Sequence, residues 1–258
     1  MLTFRNTSLA AVVTVVIVVP VIFFYPPALY LLSAVLLAYA VLLVIGSVFV
    51  CSGFYIPAVC LGNTAENAVA LTFDDGPDER ITPMILDILD KHQIPGTFFC
   101  IGSKAALNPG IVRRIAAEGH LLGNHSDSHG FLFDFKPYRR LKDDLQQAEN
   151  VITGITGMQT RWLRPPYGVT NPSLGRASRK LQYRVAGWTI RTKDSTTRGH
   201  DKVMEQIRKK WQPGAIIMLH DTHMGLPKLL EDIVSHAATT GYRFARLDEI
   251  TREKPYKS

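Results

Sequence analysis

Apolar and polar positions follow different rules on the two sides of Glu66. No Asp, Glu, Lys, Arg or His occurs from Asn6 to Ala65. Two apolar runs fill that gap, Ser8 to Phe24 and Ala28 to Val50, with Tyr25-Pro26-Pro27 between them. A helix rises about 1.5 Å per residue and a bilayer core is about 30 Å thick, so the second run is long enough to cross as a helix. The first run is shorter and carries Pro20, so it spans thinly, tilts or re-enters. A cleaved signal peptide explains the first run but not the second. The pattern predicts a membrane segment over residues 1–65, with one or two transmembrane helices at 8–24 and 28–50, and contact with the lipid bilayer through residues 8–50. Arg5 is the single side-chain charge before the runs, which leaves the positive-inside rule little to count.

After Glu66 the periodicity alternates between strand and helix. Strands are predicted at Ala68–Phe73, Gly96–Ile101, His120–Asn124, Arg161–Arg164, Tyr183–Ile190, Ala215–His220 and Tyr242–Leu247. Helices are predicted between them. One opens at Thr82-Pro83, one at Asn108-Pro109 and stops at Gly119, and a long one runs Tyr138–Ile155. Others cover Pro172–Leu181, Asp201–Trp211 and Pro227–Ala238. Seven strands alternating with helices imply an α/β domain over residues 66–258 with a parallel sheet, open or closed as a barrel. Chemistry in such folds gathers beyond the carboxyl ends of the strands.

Charge and cysteine change the picture little. The chain carries 29 basic and 22 acidic residues, a net +7, nearly all of it after Glu66. That surplus suits anionic lipid or an anionic polymer nearby. No basic-aromatic motif of a nucleic-acid module is present, so no specific nucleic acid is expected. Cys51 and Cys60 either pair in an oxidising compartment or stay, with Cys100, as free thiols.

The strand ends carry the candidate chemistry. The first ends in Asp74-Asp75-Gly76-Pro77, the third in Asn124-His125-Ser126-Asp127-Ser128-His129, and the fourth in Arg164-Pro165-Pro166-Tyr167-Gly168. The fifth is followed by Arg191-Thr192-Lys193-Asp194, and the sixth ends in Leu219-His220-Asp221. Asp-Asp-Gly-Pro alone is also an ordinary solvated turn. Adjacent carboxylates repel, however, and a divalent cation lets one ligate while the other acts as a base. His125 and His129 are four apart, which on a helical turn aims both rings at one point. Two imidazoles and a carboxylate leave positions open for water and substrate, with zinc the first choice. A non-haem iron oxygenase uses the same ligand types, but a free Asp74 beside a polarised water favours hydrolysis.

Taken in order, Thr72-Phe73-Asp74-Asp75-Gly76-Pro77, His125-Ser126-Asp127-Ser128-His129, Arg164-Pro165-Pro166-Tyr167-Gly168 and Leu219-His220-Asp221 resemble the motifs of the polysaccharide deacetylases of the NodB-homology type, carbohydrate esterase family 4. The resemblance covers about Glu66 to Leu247. It implies a distorted (β/α)7 barrel and a hydrolase acting on linear amides, removing N-acetyl groups from amino sugars of an envelope polysaccharide, peptidoglycan or lipid-linked glycan. Asp75, His125 and His129 are then the metal ligands, for zinc or else cobalt, nickel or manganese, and Asp74 is the general base. Arg164 orients Asp74, the backbone N–H of Tyr167 helps hold the oxyanion, and His220, supported by Asp194, protonates the leaving amine. Leu219 lines the acetyl pocket. Asp221 is read as a helix cap.

Two positions depart from the family's Asp-x-x-Asp-Trp pattern: Arg191 stands at the first acidic position and Ser195 at the tryptophan position. Phe131, Phe133, Tyr138 and Trp188 are candidates for sugar-stacking surface. The expected setting is a membrane-anchored catalytic domain facing the periplasm or cell exterior. Alternatives are an O-acetyl esterase on the same substrates and a non-catalytic glycan-binding membrane protein. The sequence does not specify an oligomeric state.

Overall fold

The computed structural model describes residues 2–196 and 199–257. The two apolar runs form α1, Phe4–Phe24, and α2, Ala28–Val48, of 21 residues each. The Thr3 side chain accepts from the Asn6 amide, so α1 opens before the apolar run begins and is not the short helix expected. The helices pack as a hairpin, with Ser8 Oγ 2.8 Å from the Tyr39 hydroxyl. By length and composition both could cross a membrane, and most of their apolar side chains are exposed. The Phe4 amide donates to the Phe54 carbonyl oxygen (2.9 Å), so the start of α1 and the chain leaving α2 lie at the same end of the hairpin.

Residues after α2 join the main domain. Val50 and Ile56 are buried among Leu163, Leu174 and Val185. Cys51 and Cys60 form a disulfide, one of the two states the sequence allowed. Strand β1, Ala58–Val59, follows, then β2, Ala68–Asp74, and α3, Ile81–Lys91. Next come β3 (Thr97–Cys100), α4 (Gly102–Leu107), α5 (Pro109–Ala117), β4 (Leu121–Asn124), α6 (Tyr138–Thr156) and β5 (Trp162–Leu163). The chain continues through α7 (Pro172–Lys180), β6 (Arg184–Ala186), β7 (Ile190–Arg191), α8 (His200–Lys209) and β8 (Ile216–His220). It closes with α9 (Leu226–Thr240), β9 (Arg243–Phe244) and α10 (Leu247–Thr251).

The strands pair in parallel in the order β1-β6-β5-β4-β3-β2-β8-β7, with β9 also pairing to β2. Seven strands were expected and nine occur among the described residues, because β1 adds one and the strand predicted over Tyr183–Ile190 is divided. Its halves, β6 and β7, lie towards opposite ends of the pairing order, separated in sequence by Gly187, Trp188 and Thr189. Four residue steps span at most about 14 Å, so the sheet curls back on itself as a distorted (β/α) barrel.

Alternation along the central strands decides what faces the site. In β2, Val69, Leu71 and Phe73 pack outward against Ile85, Leu230 and Ile233 of the flanking helices. Ala68 and Ala70 fill the interior with Phe99, Trp162 and Ile216. Thr72 and Asp74 continue the inward column to the carboxyl end of the strand. In β8 the inward set is Ile216, Met218 and His220, with Asp74 in register with His220.

Candidate active site

Asp75, His125 and His129 converge. Asp75 Oδ1 lies 3.4 Å from His125 Nε2 and 3.3 Å from His129 Nε2. The ligand atoms of all three residues fall within 4.8 Å of one another. Donors held tetrahedrally at about 2.0–2.1 Å from a zinc ion are themselves about 3.3 Å apart, so the two separations from Asp75 fit such an ion. The surrounding hydrogen bonds fit as well. His125 Nδ1 lies 2.7 Å from the Arg164 carbonyl oxygen. A carbonyl only accepts, so Nδ1 carries the proton and Nε2 keeps its lone pair for a ligand.

No helix carries the two histidines, contrary to the expectation from their spacing. Residues 125–129 form a loop with Ser126 at φ 65° and His129 at φ 42°. The two rings still sit 4.9 Å apart, centroid to centroid. Asn124 Oδ1 accepts from the Ser126 amide (2.8 Å), Ser126 Oγ from the His129 amide (3.0 Å), and Asp144 Oδ1 from the Asp127 amide (2.8 Å). Asp144 is braced by Lys136 (2.6 Å). Asp75 (φ 71°) and Tyr167 (φ 58°) are also left-handed, so the site concentrates backbone conformations that cost on the order of 1 kcal/mol each.

Burial would raise the Asp75 carboxyl, but His125, His129 and His220 around it hold it well below the usual carboxylate range. Burial and the neighbouring His125 lower His129, which favours the neutral ligating form. Asp74 is buried and accepts from Arg164 Nη1 at 2.8 Å. The guanidinium is fully buried, lies 4.2 Å from the Phe99 ring centroid, and also donates to Thr72 Oγ1 (2.7 Å) and the Gly187 carbonyl oxygen (2.8 Å).

His220 Nδ1 is 2.8 Å from Asp194 Oδ1, and the His220 amide donates to Asp194 Oδ2 at 2.9 Å. Burial alone would pull His220 down, but the Asp194 hydrogen bond and charge, with Asp74 and Asp75 beyond, push it up to about 9. The pocket is lined by Asp74, Asp75, His125, His129, Tyr167, Trp188, Arg191, Ser195, Met218 and His220. Leu219 is not among them. It is fully buried against the outer helices, because alternation in β8 turns Met218 and His220 inward instead.

Asp221 does not cap a helix. Its carboxylate packs under Gly76, where an added Cβ would lie 2.1 Å from Oδ2, and accepts from Thr82 Oγ1 at 2.6 Å. Among the aromatic candidates, Phe133 is core, Tyr138 lies under Arg176, and Trp188 lines the pocket against Gly168. Phe131 is exposed. Three residues of the site carry no signal strong enough to find them in the sequence: Asp144, Thr192 and Gly187. Thr192 Oγ1 donates to Asp194 Oδ1 at 2.7 Å, and its place two residues before Asp194 was the one available hint.

Comparison with known proteins identifies the family and the fold. Residues 61–186 match the polysaccharide deacetylase family. Peptidoglycan-N-acetylmuramic acid deacetylase PdaA of Bacillus subtilis is 33% identical over 201 residues, 76% of this chain and 76% of that protein. A peptidoglycan-N-acetylglucosamine deacetylase of Bacillus cereus is 34% identical over 189 residues, 72% of this chain and 68% of that one. A crystallised peptidoglycan N-acetylglucosamine deacetylase shares the fold with a TM-score of 0.72 at 31% identity, covering 77% of this chain and 94% of its own. The chain therefore belongs to the polysaccharide deacetylases, the NodB-type enzymes of carbohydrate esterase family 4.

Proposed function

We propose that this chain is a membrane-anchored, metal-dependent deacetylase that removes N-acetyl groups from amino sugars of an envelope glycan, either peptidoglycan or a lipid-linked precursor. The observation that carries the reading is the convergence of Asp75 Oδ1, His125 Nε2 and His129 Nε2 beside a buried Asp74, with His220 lining the same pocket. Those three residues would hold the divalent ion, zinc by preference. When bound, the ion supplies a Lewis acid that polarises the acyl carbonyl and lowers the pKa of water.

The protein's own groups do the rest. Asp74, fixed by Arg164, takes the proton of the attacking water. The Tyr167 backbone N–H donates to the developing oxyanion, a contribution of about 3 kcal/mol for such a donor. An amine leaves poorly until protonated, and His220, held by Asp194, delivers that proton to the sugar nitrogen. Met218 and Trp188, rather than Leu219, offer apolar lining for the acetyl methyl.

The division into an anchor within residues 1–65 and a catalytic domain over 66–258 belongs to this reading, with β1 as the part of the first that enters the sheet of the second. Two crossings by α1 and α2 would leave Arg5 and the catalytic domain on one side. The Cys51–Cys60 disulfide favours an oxidising side, the periplasm or cell exterior. The test is acetate release from N-acetylated peptidoglycan fragments and chito-oligomers by the purified full chain. Asp74→Asn should abolish release while the protein stays folded; full release by that variant would refute the assignment.

A further inference from the structure

The disulfide lies against the segment that closes the barrel. A Cβ built on Gly187 would be 2.3 Å from Cys60 Sγ and 3.0 Å from Cys51 Sγ, so both sulfurs press on a backbone with no room for a side chain. Cys51 Sγ is also 3.5 Å from the Trp188 carbonyl oxygen. The flanking chain completes the clasp. The Gly187 amide donates to the Val59 carbonyl oxygen (2.8 Å), and Thr189 Oγ1 donates to the Cys60 carbonyl oxygen (2.6 Å).

The opposite side of the same three residues meets the catalytic groups. The Gly187 carbonyl oxygen accepts from Arg164 Nη2, whose other terminal nitrogen holds Asp74. The Trp188 ring fills the space over Gly168, where a Cβ would come within 2.2 Å of Cη2, and Gly168 follows Tyr167. Gly187–Thr189 lies outside the paired strands β6 and β7, so its position depends on these contacts and on the Thr189 amide, which donates to the Ile216 carbonyl oxygen (2.9 Å).

We propose that Cys51 and Cys60, as a disulfide, are positioning residues for the deacetylation: they hold the Gly187–Trp188 backbone so that Arg164 and the Tyr167–Gly168 turn stay in register with Asp74. This rests on Asp74 being the general base of the proposed deacetylase. The clasp meets the guanidinium of Arg164 directly, whereas His125 is held by the Arg164 backbone carbonyl and His129 is met only through Tyr167, so loss of the clasp falls on catalysis more than on metal binding.

The test is a double-mutant cycle on the full chain, pairing Cys51→Ser/Cys60→Ser with Arg164→Lys, scored by kcat, KM and metal content. Removing the disulfide should lower kcat about tenfold or more, since small misplacements near the chemistry have effects of this size. KM and metal content should stay within about twofold. In the Arg164→Lys background the same change should have a clearly smaller effect, because the route through Arg164 is already broken and only the one through Trp188 and Gly168 remains. Equal losses in both backgrounds, or an unchanged kcat, would overturn the proposal. Should the double variant fail to fold, the folded wild-type chain is reduced with a phosphine and then reoxidised. Loss and return of kcat at constant metal content supports the role, and constant kcat overturns it. Inactivity of the untreated wild-type chain on every N-acetyl glycan would instead count against the deacetylase reading itself.

Discussion

The Arg164 carbonyl oxygen accepts a hydrogen bond from His125 Nδ1 at 2.7 Å, while the guanidinium of the same arginine donates to Asp74 at 2.8 Å. One residue thus orients a candidate metal ligand with its backbone and the candidate base with its side chain. A side-chain substitution separates the two jobs. Lysine has one point charge and cannot serve Thr72, Asp74 and Gly187 together. Arg164→Lys is expected to keep metal stoichiometry, lower kcat by about a hundredfold, and cost about 1–3 kcal/mol for the acceptor left unpaired. Metal analysis alongside kinetics and denaturant unfolding checks all three.

His220 donates its proton only while protonated, and its raised value of about 9 keeps that form dominant at neutral pH. Activity should therefore decline on the alkaline side as His220 deprotonates. Asp194→Asn removes the strongest upward influence, so the alkaline limb should move to lower pH. A pH–rate profile of kcat/KM for the two proteins measures this. An alkaline limb that stays in place would show that Asp194 does not set the His220 proton affinity.

Arg191 lines the pocket with its guanidinium 5.3 Å from the Trp188 ring centroid, and no ion pair to it occurs among the described residues. A cation so placed favours substrates bearing a carboxylate or phosphate near the acetylated sugar. Arg191→Ala should raise KM roughly tenfold for such anionic glycans, the scale of one charge-assisted contact. It should leave KM for neutral chito-oligomers nearly unchanged. Steady-state kinetics on matched substrates decides.

Asp221 is fully buried, and burial pushes its carboxyl up to about 7. The unfolded chain loses that proton near pH 4 while the folded chain holds it to about pH 7, so stability drains away as pH rises between the two. Asp221→Asn keeps the acceptor for Thr82 without the charge. It should raise the thermal midpoint at pH 8 and change it much less at pH 4, a difference readable by calorimetry.

The features legible in the sequence were those with strong local periodicity or a strand-end position. β2 reads as a strand because an apolar run ends at Phe73, in keeping with the burial of all seven of its residues, and its end places Asp74 and Asp75 without further information. The His125–His129 pair was legible as two rings converging on one point but not as a loop, since the spacing carries no record of the left-handed Ser126 and His129. The division of Tyr183–Ile190 was hidden because an apolar run looks the same whether it stays in one strand or crosses between sheet edges. Leu219 was expected in the pocket and Met218 stands there instead, because register, not residue type, decides which side of β8 faces the pocket. Asp144 and Gly187 act through space on residues distant in sequence, where periodicity carries no signal.

If one cation bound by Asp75, His125 and His129 makes this pocket an amidase for acetylated amino sugars, activity must follow that cation. The most direct test is acetate release by the metal-stripped full chain titrated with zinc. Activity should be absent without metal, rise to a plateau at about one equivalent per chain, and fail to return in His129→Ala at the same loading. Full acetate release by the stripped protein, or by His129→Ala, would contradict it.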